Sequence, residues 1–440
     1  VPLDPPLIHS QAEQMSSAGL RVLALARLHC PAGSRELTQE MLGRRLTFLG
    51  LQGMHDPPRP EAIQAVAQCR SAGIAVKMIT GDHASTAAAI AERIKPGAGL
   101  SRPTAAAELG AARDGYAVLT GASMAQVSDS DLPAVAERTH VFARMTPEQK
   151  LRLVKALQSR GHVVAMTGDG VNDAPALRQA DIGVAMGITG TEVAKEAADM
   201  VLADDNFASI EAAVEEGRTV FDNLTKFIVW TLPTNVGEGM IILTGIAVAG
   251  YLPILPVQAL YINMSTALLI GMPLVFERKE ADIMARPPRD PAQPIMTYEL
   301  FMRSGLMSIL LTLGGFGLFE WANWRGMSEA QARTVAVSVV VFGQAFYLFN
   351  CRSLIRSIWS VGWFTNPWVW AGFAGMVALQ MAFAYAPVMQ RLFRSAPLDL
   401  PAWGMIFAVA GGIALIVAIE KAIRRRVAER KAQTARQYEK

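Results

Sequence analysis

In the C-terminal half of the chain, apolar residues form six long stretches that contain few charges. Each stretch is close to the roughly 20 residues that an α-helix needs to cross the hydrocarbon core of a bilayer. They predict six membrane-spanning helices, over residues 224–249, 252–276, 300–321, 334–350, 363–388 and 402–420. Because six is an even number, both ends of this region are expected on the same side of the membrane.

The N-terminal half has a different pattern, in which short runs of β-branched residues alternate with alanine-rich helical stretches. GIAVKMITGD (73–82) reads as a strand and a turn, and the helical HASTAAAIAERI (83–94) follows it. GHVVAMTGDG (161–170), followed by VNDAPALRQA (171–180), repeats this design. Strands that alternate with helices predict an α/β fold with a doubly wound parallel sheet. Ligands of such sheets bind at the carboxyl ends of the strands, where both Thr-Gly-Asp triplets lie.

The composition supports a division into an aqueous half and a membrane half. Hydrophobic residues make up 51% of the 440 residues and charged residues only 18%, below the roughly 25% usual for soluble domains. Charged residues are frequent up to about Arg218 and are then rare except in short loops and at the C-terminal end. The net charge of +3, without a long basic stripe, gives no support for nucleic-acid binding.

Lysine and arginine are densest in the loop 277–291 and in the C-terminal tail 421–440. Basic loops of membrane proteins face the cytoplasm, so the aqueous half is predicted to be cytoplasmic. The tail is interpreted as an anchor beside anionic lipid rather than as a specific ligand site. Cys30, Cys69 and Cys351 are scattered and odd in number, which indicates neither a disulfide framework nor a zinc site.

The string MTGDGVNDAPAL (166–177) carries the clearest chemistry. Asp169 and Asp173 stand four residues apart at a strand-to-helix turn, beside glycines that allow close approach of the backbone. Paired carboxylates at such a turn suit Mg²⁺, which commonly takes one or two carboxylates together with phosphate oxygens and water. The alternative is a capped turn in which aspartate serves only the local backbone geometry.

The whole string resembles the hinge motif of the P-type ATPases, whose phosphorylation domain has the haloacid-dehalogenase-like fold. The resemblance is to the calcium-pump and sodium-pump branch and covers nearly the whole chain. Further segments follow in the order of that branch: GLRVLALA (19–26), GMHDPPRPEA (53–62), MITGDH (78–83), VFARMTPEQK (141–150), DIGVAMGITGTEVAKEAADMVLADDNF (181–207) and DIMARPPR (282–289). The resemblance implies the C-terminal portion of a P-type cation-transporting ATPase that uses Mg²⁺ and ATP.

By this resemblance, catalytic roles fall to Lys150, Thr80 and Asp173, and the implied Mg²⁺ ligands are Asp169 and Asp173. Lys150 would compensate the charge of the transferred phosphoryl group and Thr80 would hold its oxygens. Such roles suit phosphoryl transfer, which depends on positioning and charge neutralisation. For Arg21 a solvated surface charge is an alternative. The residues implied to contact nucleotide or phosphate are Arg21, Thr80, Gly81, Asp82, Arg144, Lys150 and Asn172.

One carboxylate, that of Glu238, stands inside the first predicted span. An ionised carboxylate at mid-span costs at least ~2.5 kcal/mol, so it normally faces a protein interior or a polar cavity. Asn235 shares its helical face, and Pro233 predicts a loosened helix whose freed carbonyls can bind ions. Asn263 and Thr266 stand three apart in the second span. We predict a cation site, because the alternative of polar contacts between helices does not explain Glu238.

In the calcium-pump pattern the residues at these positions bind the transported ion. Gln344 stands at a further ligand position where the calcium pump has an acid, and Ala267 replaces a usual aspartate. The visible site therefore holds one carboxylate, whereas Ca²⁺ generally takes six or more oxygens. One Ca²⁺, helped by an acid from a missing span, is the first expectation, and a monovalent cation or Mn²⁺ is the alternative. Glu277, at the cytoplasmic end of the second span, is expected to be interfacial rather than a ligand.

The resemblance also predicts how the chain is divided. The expected parts are a nucleotide-binding-domain remnant (1–45), the phosphorylation domain (46–210), the stalk with six all-α transmembrane helices (211–425) and a basic cytoplasmic tail (426–440). The family's acceptor string Asp-Lys-Thr-Gly-Thr does not occur, and the chain starts at Val1. We therefore expect a fragment that does not turn over alone, whose parent exports Ca²⁺ across a prokaryotic plasma membrane. A membrane-tethered hydrolase and a non-catalytic ion-binding membrane protein are the alternatives, and accessory subunits are not predicted.

Overall fold

The computed structural model describes residues 4–28, 46–54, 57–94 and 117–438. Cys30, residues 55–56 of the GMHDPPRPEA motif, and much of the expected 1–45 remnant lie outside these ranges. The chain forms two compact units: residues 1–215 with 284–288 form the α/β unit, and residues 216–283 with 289–440 form the membrane unit. The finer four-part division stays a prediction.

The described part of the α/β unit contains short strands in three sheets. The strands are β1 (Arg21–Arg27), β2 (Thr47–Met54), β3 (Met78–Thr80), β4 (Ala117–Thr120), β5 (Thr139–Ala143), β6 (Ala165–Gly168), β7 (Ile182–Met186) and β8 (Met200–Leu202). One parallel sheet has the order β3-β5-β4 and a second has the order β6-β7-β8, while β1 and β2 pair antiparallel. The predicted parallel α/β fold is confirmed, with its strands in two three-stranded sheets rather than one.

Helices cover these strands, and one of them positions a predicted catalytic residue. The helices are α1 (Pro5–Ser17), α2 (Pro60–Ser71), α3 (Ala84–Ile94), α4 (Gly121–Ala125), α5 (Leu132–Arg138), α6 (Pro147–Gln158), α7 (Ala174–Gln179) and α8 (Glu192–Ala197). At the start of α6, Thr146 and Gln149 exchange side-chain hydrogen bonds with each other's backbone N–H. Pro147 takes the first helical position, where no N–H is needed. This cap fixes the turn that carries Lys150.

Residues 284–288 belong to the α/β unit, although in the sequence they lie between the second and third spans. The Ser71 hydroxyl donates to the Met284 carbonyl oxygen at 2.9 Å. Gly73 has φ +73°, and a Cβ there would lie 3.0 Å from the Pro287 Cα. Backbone conformation and space both require glycine. The end of the DIMARPPR segment is therefore built into the α/β unit.

Six helices in the described residues are long and apolar enough to cross a membrane, so the predicted number is confirmed. We call them the first to sixth spans: Phe207–Val248, Pro256–Phe276, Tyr298–Trp324, Glu329–Cys351, Pro367–Tyr385 and Leu400–Val427. Two short helices, Ile358–Val361 and Pro387–Phe393, precede and follow the fifth span. The first span begins earlier than predicted, because the polar stalk and the apolar stretch form one helix, Phe207–Thr244.

The fourth span lies at the centre of the membrane unit. In the most apolar 18-residue stretch of this span, 83% is buried inside the protein. The corresponding stretches of the other five spans are 33–50% buried. The Trp230 indole N–H donates to the Gln344 backbone carbonyl at 3.1 Å, and the Tyr347 hydroxyl donates to the Val229 carbonyl at 3.1 Å. These bonds hold the first span against the fourth and fix the position of Gln344.

The prediction of a loosened helix around Pro233 is wrong. The first span is continuous there. The Ser308 hydroxyl of the third span donates to the Pro233 carbonyl at 2.9 Å, and the Thr312 hydroxyl lies 3.4 Å from the Gly237 carbonyl. The carbonyl that the missing N–H of Pro233 leaves free is that of Val229, which accepts the Tyr347 hydroxyl. Neighbouring spans therefore occupy the carbonyl groups that we expected to be free for an ion.

A π-helical turn, Gly245–Ala249, follows the α-helix of the first span, and the larger irregular stretch lies in the second span. Its α-helix ends at Thr266, a π-helical turn covers Ala267–Gly271, and a 3₁₀ turn covers Met272–Phe276. Proline lacks an N–H, so Pro273 cannot close a helical bond to the Leu269 carbonyl. Turns of the π type are rare and are frequently found at functional sites. This turn follows directly after the predicted ligand Thr266.

Candidate functional site

Two predicted residues of the α/β unit meet between the start of α6 and the loop after β6. The Lys150 Nζ lies 2.6 Å from the Asp173 Oδ1. Asp173 is buried, and its Oδ2 accepts the Gly170 N–H at 3.2 Å. A Cβ on Gly168 would lie 2.5 Å from the Asp173 Cβ, so only glycine fits there. The ion pair joins the Lys150 ammonium to the loop that carries Asp169.

The carboxylate of Asp169 does not cap the turn in the described residues. Its side chain is exposed and accepts no hydrogen bond within the described ranges, while its backbone carbonyl accepts the Thr191 N–H at 2.8 Å. No group of three or more His, Cys, Asp or Glu side chains gathers among the residues that the structure describes. One available carboxylate on a fixed turn fits Mg²⁺, which completes its shell with phosphate oxygens and water.

Thr80, Gly81 and Asp82 form a turn of their own at the carboxyl end of β3. The Asp82 N–H donates to the Thr80 Oγ1 at 3.0 Å, and the Thr80 hydroxyl donates to the Asp82 Oδ2 at 3.2 Å. Gly81 is exposed. Among the described residues Thr80 makes no hydrogen bond to Lys150 or Asp173, so its role at the phosphate stays a prediction.

The remaining predicted contacts, Arg21, Arg144 and Asn172, are exposed. Arg144 follows β5 with φ +54°, and a Cβ on Gly121 would lie 2.3 Å from its carbonyl oxygen. None of the three side chains makes a hydrogen bond within the part of the chain that the structure describes. The structure does not bring them together, but their polar groups are available to a ligand.

Sequence reasoning missed Asp205, which holds the loop after β7. Asp205 has φ +49°, and its carboxylate accepts the Ile188 N–H at 3.0 Å, the Thr189 N–H at 2.8 Å and the Thr189 hydroxyl at 2.7 Å. The backbone hydrogen bond from Ile188 is the largest cause that lowers the pKa of Asp205 to about 2. The sequence signal was the Asp-Asp-Asn turn before the first span, since aspartate tolerates the left-handed conformation.

In the membrane unit, the structure joins three of the predicted ligands. Glu238 is 3% exposed. Its Oε1 accepts a hydrogen bond from the Gln344 amide at 2.8 Å, and its Oε2 accepts one from the Asn263 amide at 3.1 Å. The first, second and fourth spans therefore meet at one carboxylate that faces the interior.

The cluster of Glu238, Gln344 and Asn263 contains oxygen atoms that can bind a cation and contains no positively charged group. The Gln344 Oε1 is buried without a hydrogen-bond partner. Glu238 forms no salt bridge to Lys, Arg or His in the described ranges. A carboxylate in that environment is costly unless a cation or a proton neutralises it. The charge of Glu238 and the free carbonyl oxygen of Gln344 are together suited to a cation.

The other two predicted ligands are placed differently. The Thr266 hydroxyl is buried and donates to the Ile262 carbonyl at 2.8 Å, within its own helix. Asn235 is exposed, and its side chain makes no hydrogen bond to the described residues. The structure does not join either side chain to Glu238, and their roles stay predictions.

Glu277 is buried rather than interfacial. Its carboxylate receives a two-point ion pair from Arg352, with Nη2 at 2.9 Å and Nε at 3.0 Å, and a hydrogen bond from the Asn366 amide at 3.1 Å. Geometry of this kind satisfies a buried carboxylate within the protein. The pair ties the end of the second span to the ends of the fourth and fifth.

Comparisons with known families agree with this architecture. Residues 251–423 match the family model described as the C-terminus of cation transporting ATPases. Residues 29–181 and 150–214 match two models of haloacid dehalogenase-like hydrolases. The matches fall on the membrane unit and on the α/β unit.

Curated relatives align along almost the whole chain. It is 54% identical over 419 residues to the probable cation-transporting ATPase F of Mycobacterium tuberculosis, covering 95% of this chain and 45% of the relative. It is 46% identical to the cation-transporting ATPase pma1 of Synechocystis (92% and 44%), and 39% identical to a calcium-transporting ATPase of Bacillus subtilis (90% and 43%). The chain thus spans less than half the length of these relatives. It belongs to the P-type cation-transporting ATPases, as a C-terminal portion.

Proposed function

We propose that the intact protein moves a cation across a membrane at the expense of ATP, through a phosphorylated intermediate. The observation that carries this proposal is the uncompensated carboxylate of Glu238. It lies among spans that are integral to a membrane, with amide donors on both oxygens and no ion pair in the described residues. A bound cation supplies the charge that this arrangement lacks.

The α/β unit would handle the phosphoryl group. Lys150, held by Asp173, presents an ammonium at the carboxyl end of β6. Asp169 would hold Mg²⁺, which shields phosphate charge during transfer. Thr80 and Gly81 would bind phosphoryl oxygens at the end of β3. The acceptor aspartate would come from outside these 440 residues, since they contain no Asp-Lys-Thr-Gly-Thr string.

ATP would be contacted by the polar groups of Arg21, Asp82, Arg144 and Asn172, of which Asp82 is partly buried. The guanidinium groups of arginine suit phosphate oxygens because they present several donors in a fixed plane. This assignment rests on the family resemblance and on the exposure of Arg21, Arg144 and Asn172 in the structure.

The chain itself offers a link between the phosphate site and the ion site. It passes between the two units at 215–216, 283–284 and 288–289. The first of these crossings runs within the continuous helix Phe207–Thr244, which also carries Glu238. Phosphorylation and hydrolysis would each favour one of two conformations with different affinities for the cation, giving alternating access.

Ca²⁺ is the first candidate for the transported ion. The Bacillus subtilis relative is named a calcium-transporting ATPase, as are relatives from yeasts. The chain contributes one carboxylate, so the other ligands of a Ca²⁺ ion would come from a span outside these residues. Neutral Gln344 and Ala267 leave a monovalent cation or Mn²⁺ as the competing candidates.

The six apolar helices and the family make the chain an integral membrane protein. We propose the plasma membrane of a prokaryote, since the most similar relatives reported above are bacterial. The basic loop and tail would place the α/β unit in the cytoplasm.

Transport by the full-length protein in sealed vesicles tests this proposal. ATP-dependent uptake of Ca²⁺, Mn²⁺, Na⁺ and K⁺ is measured side by side, with and without Mg²⁺. We expect saturable uptake of Ca²⁺ that requires both ATP and Mg²⁺. Uptake of Mn²⁺ or a monovalent ion alone would replace Ca²⁺ as the substrate, and no ATP-dependent uptake of any cation would refute the proposal.

A further inference from the structure

Basic side chains concentrate where the sixth span meets the loop 352–366. Arg424 is paired with Glu420 at 3.3 Å. Lys421 is different, because it is buried and its Nζ donates only to the carbonyls of Asn350 at 3.0 Å and Ser353 at 2.8 Å. No carboxylate lies within salt-bridge distance of Lys421 in the described ranges. Its ammonium is held directly by two carbonyl oxygens, and the carboxylate of Glu280 acts on it only from beyond salt-bridge distance.

A second buried cation reaches the same carbonyl. Arg303 of the third span is 1% exposed, and its Nη2 donates to the Asn350 carbonyl at 3.3 Å. The Arg303 Nε and Nη1 are buried without hydrogen-bond partners. Its guanidinium carbon stands 5.7 Å from the ring centroid of Tyr347. Two cations that share one carbonyl, with Glu420 as the acid that acts on Arg303, create a region of net positive charge, which attracts an anion.

A cavity of about 290 Å³ lies beside Lys421. Its walls combine basic side chains of the sixth span's helix with apolar side chains of the loop: Lys421, Arg425, Arg426, Ile355, Ile358 and Trp359. Trp359 is 79% exposed and Ile355 is 65% exposed. Adjacent cationic and exposed apolar walls suit a ligand that has an anionic head and an apolar body.

We propose that this cavity binds the headgroup of one anionic phospholipid of the cytoplasmic leaflet. The phosphate lies against Lys421 and Arg426, and the acyl chains cover Ile355 and Trp359. Basic pockets between membrane helices on the cytoplasmic side are suited to such headgroups. A free phosphate would satisfy the basic side chains but leave the apolar wall uncovered. The sequence analysis interpreted the basic tail as a lipid anchor rather than as a specific ligand site, and this proposal instead gives its first residues a defined site.

Native mass spectrometry of the full-length protein in a neutral detergent tests the site. The probes are phosphatidylglycerol and phosphatidylcholine with the same acyl chains. We expect one retained phosphatidylglycerol and about tenfold less phosphatidylcholine. Arg426→Gln changes an exposed side chain, so the fold is preserved, and it should lower phosphatidylglycerol retention about fivefold. Lys421→Gln should lower it further.

Arg430→Gln is the matched control, because it removes the same charge one turn further along the helix, outside the cavity. It should leave retention unchanged, whereas Trp359→Ala should weaken it. Equal retention of the two lipids, or equal losses in Arg426→Gln and Arg430→Gln, would overturn the site in favour of diffuse attraction. Complete displacement of the lipid by millimolar inorganic phosphate would show an anion site without lipid specificity and would overturn the proposal.

Discussion

The two units bury a carboxylate in opposite ways. In the α/β unit, Asp173 faces the ammonium of Lys150 at 2.6 Å. In the membrane unit, Glu238 faces the neutral amides of Gln344 at 2.8 Å and Asn263 at 3.1 Å. The first carboxylate has its counter-charge within the protein, and the second has none among the described residues.

This difference indicates how each site meets its ligand. Lys150 is already held in place by Asp173, so this part of the proposed phosphate site is preorganised before a phosphoryl group arrives, as electrostatic catalysis requires. The carboxylate of the proposed membrane site has no counter-charge among the described residues, and a bound cation would supply one. We therefore expect the first site to set the rate of chemistry and the second to choose the ion.

The largest expected effect is a loss of ATP hydrolysis when Lys150, the counter-charge of Asp173 in the α/β unit, is replaced. Lys150→Met in the full-length protein should lower ATP hydrolysis by about 10²–10³, the loss typical of one charge-stabilising donor. Lys155→Met, an exposed lysine on the same helix, is the control and should stay within about twofold. Steady-state hydrolysis measures both variants, and similar activities would remove Lys150 from the mechanism.

Adding charge to the membrane site should have the next largest effect. Gln344→Glu places a second carboxylate beside Glu238, so divalent ions should gain about tenfold over monovalent ions in competition for transport. Gln344→Leu is the comparison, because it removes the carbonyl oxygen without adding charge and should weaken every cation alike. An unchanged order of ions in Gln344→Glu would show that this position does not face the ion.

A smaller effect should follow from crowding the irregular part of the second span. A Cβ on Gly372 would lie 1.8 Å from the Leu269 carbonyl oxygen, whereas one on Gly375 would make an ordinary 3.5 Å contact. Overpacking of this kind costs about 1–3 kcal/mol. Gly372→Ala should lower the melting temperature of the purified protein by several degrees, and Gly375→Ala by about one degree or less. Equal melting temperatures of Gly372→Ala and Gly375→Ala would mean that the second and fifth spans can separate at this point without a loss of stability.

The smallest effect concerns Asp205 in the α/β unit. Its pKa is lowered to about 2 from 3.8, so the folded state favours the carboxylate. The stability that it contributes is therefore present above about pH 4 and is lost as the pH falls towards 2. Asp205→Asn should melt slightly lower than wild type at pH 6, and the difference should shrink below pH 4. A difference independent of pH would assign the effect to hydrogen bonding alone.

Patterns within the sequence predicted the architecture well. The six spans follow from apolar length, and the α/β fold follows from alternating strands and helices. The meeting of Glu238, Asn263 and Gln344 was predicted by resemblance and is seen in the structure. The limits of the first span were less accurate, because hydropathy does not mark where a polar stalk and an apolar span share one helix.

Features that depend on distant partners could not be predicted. Pro233 reads locally as a helix breaker, but the Val229 carbonyl that it leaves without a helical partner accepts the Tyr347 hydroxyl, 118 residues away. Glu277 reads as interfacial until Arg352 is seen beside it, also 75 residues away. The left-handed Asp205 likewise acquires its role only when the loop after β7 folds over it. The local sequence pattern gives the structural preference of each segment, and tertiary contacts determine its final conformation and burial.

The most direct test is equilibrium binding of the transported cation to the full-length protein, with Glu238→Gln compared with wild type. Glu299→Gln, an exposed acid at the start of the third span, is the matched control. We predict saturable binding in wild type and Glu299→Gln, and its loss in Glu238→Gln. Binding of unchanged stoichiometry and affinity in Glu238→Gln would contradict the claim that this carboxylate receives the ion.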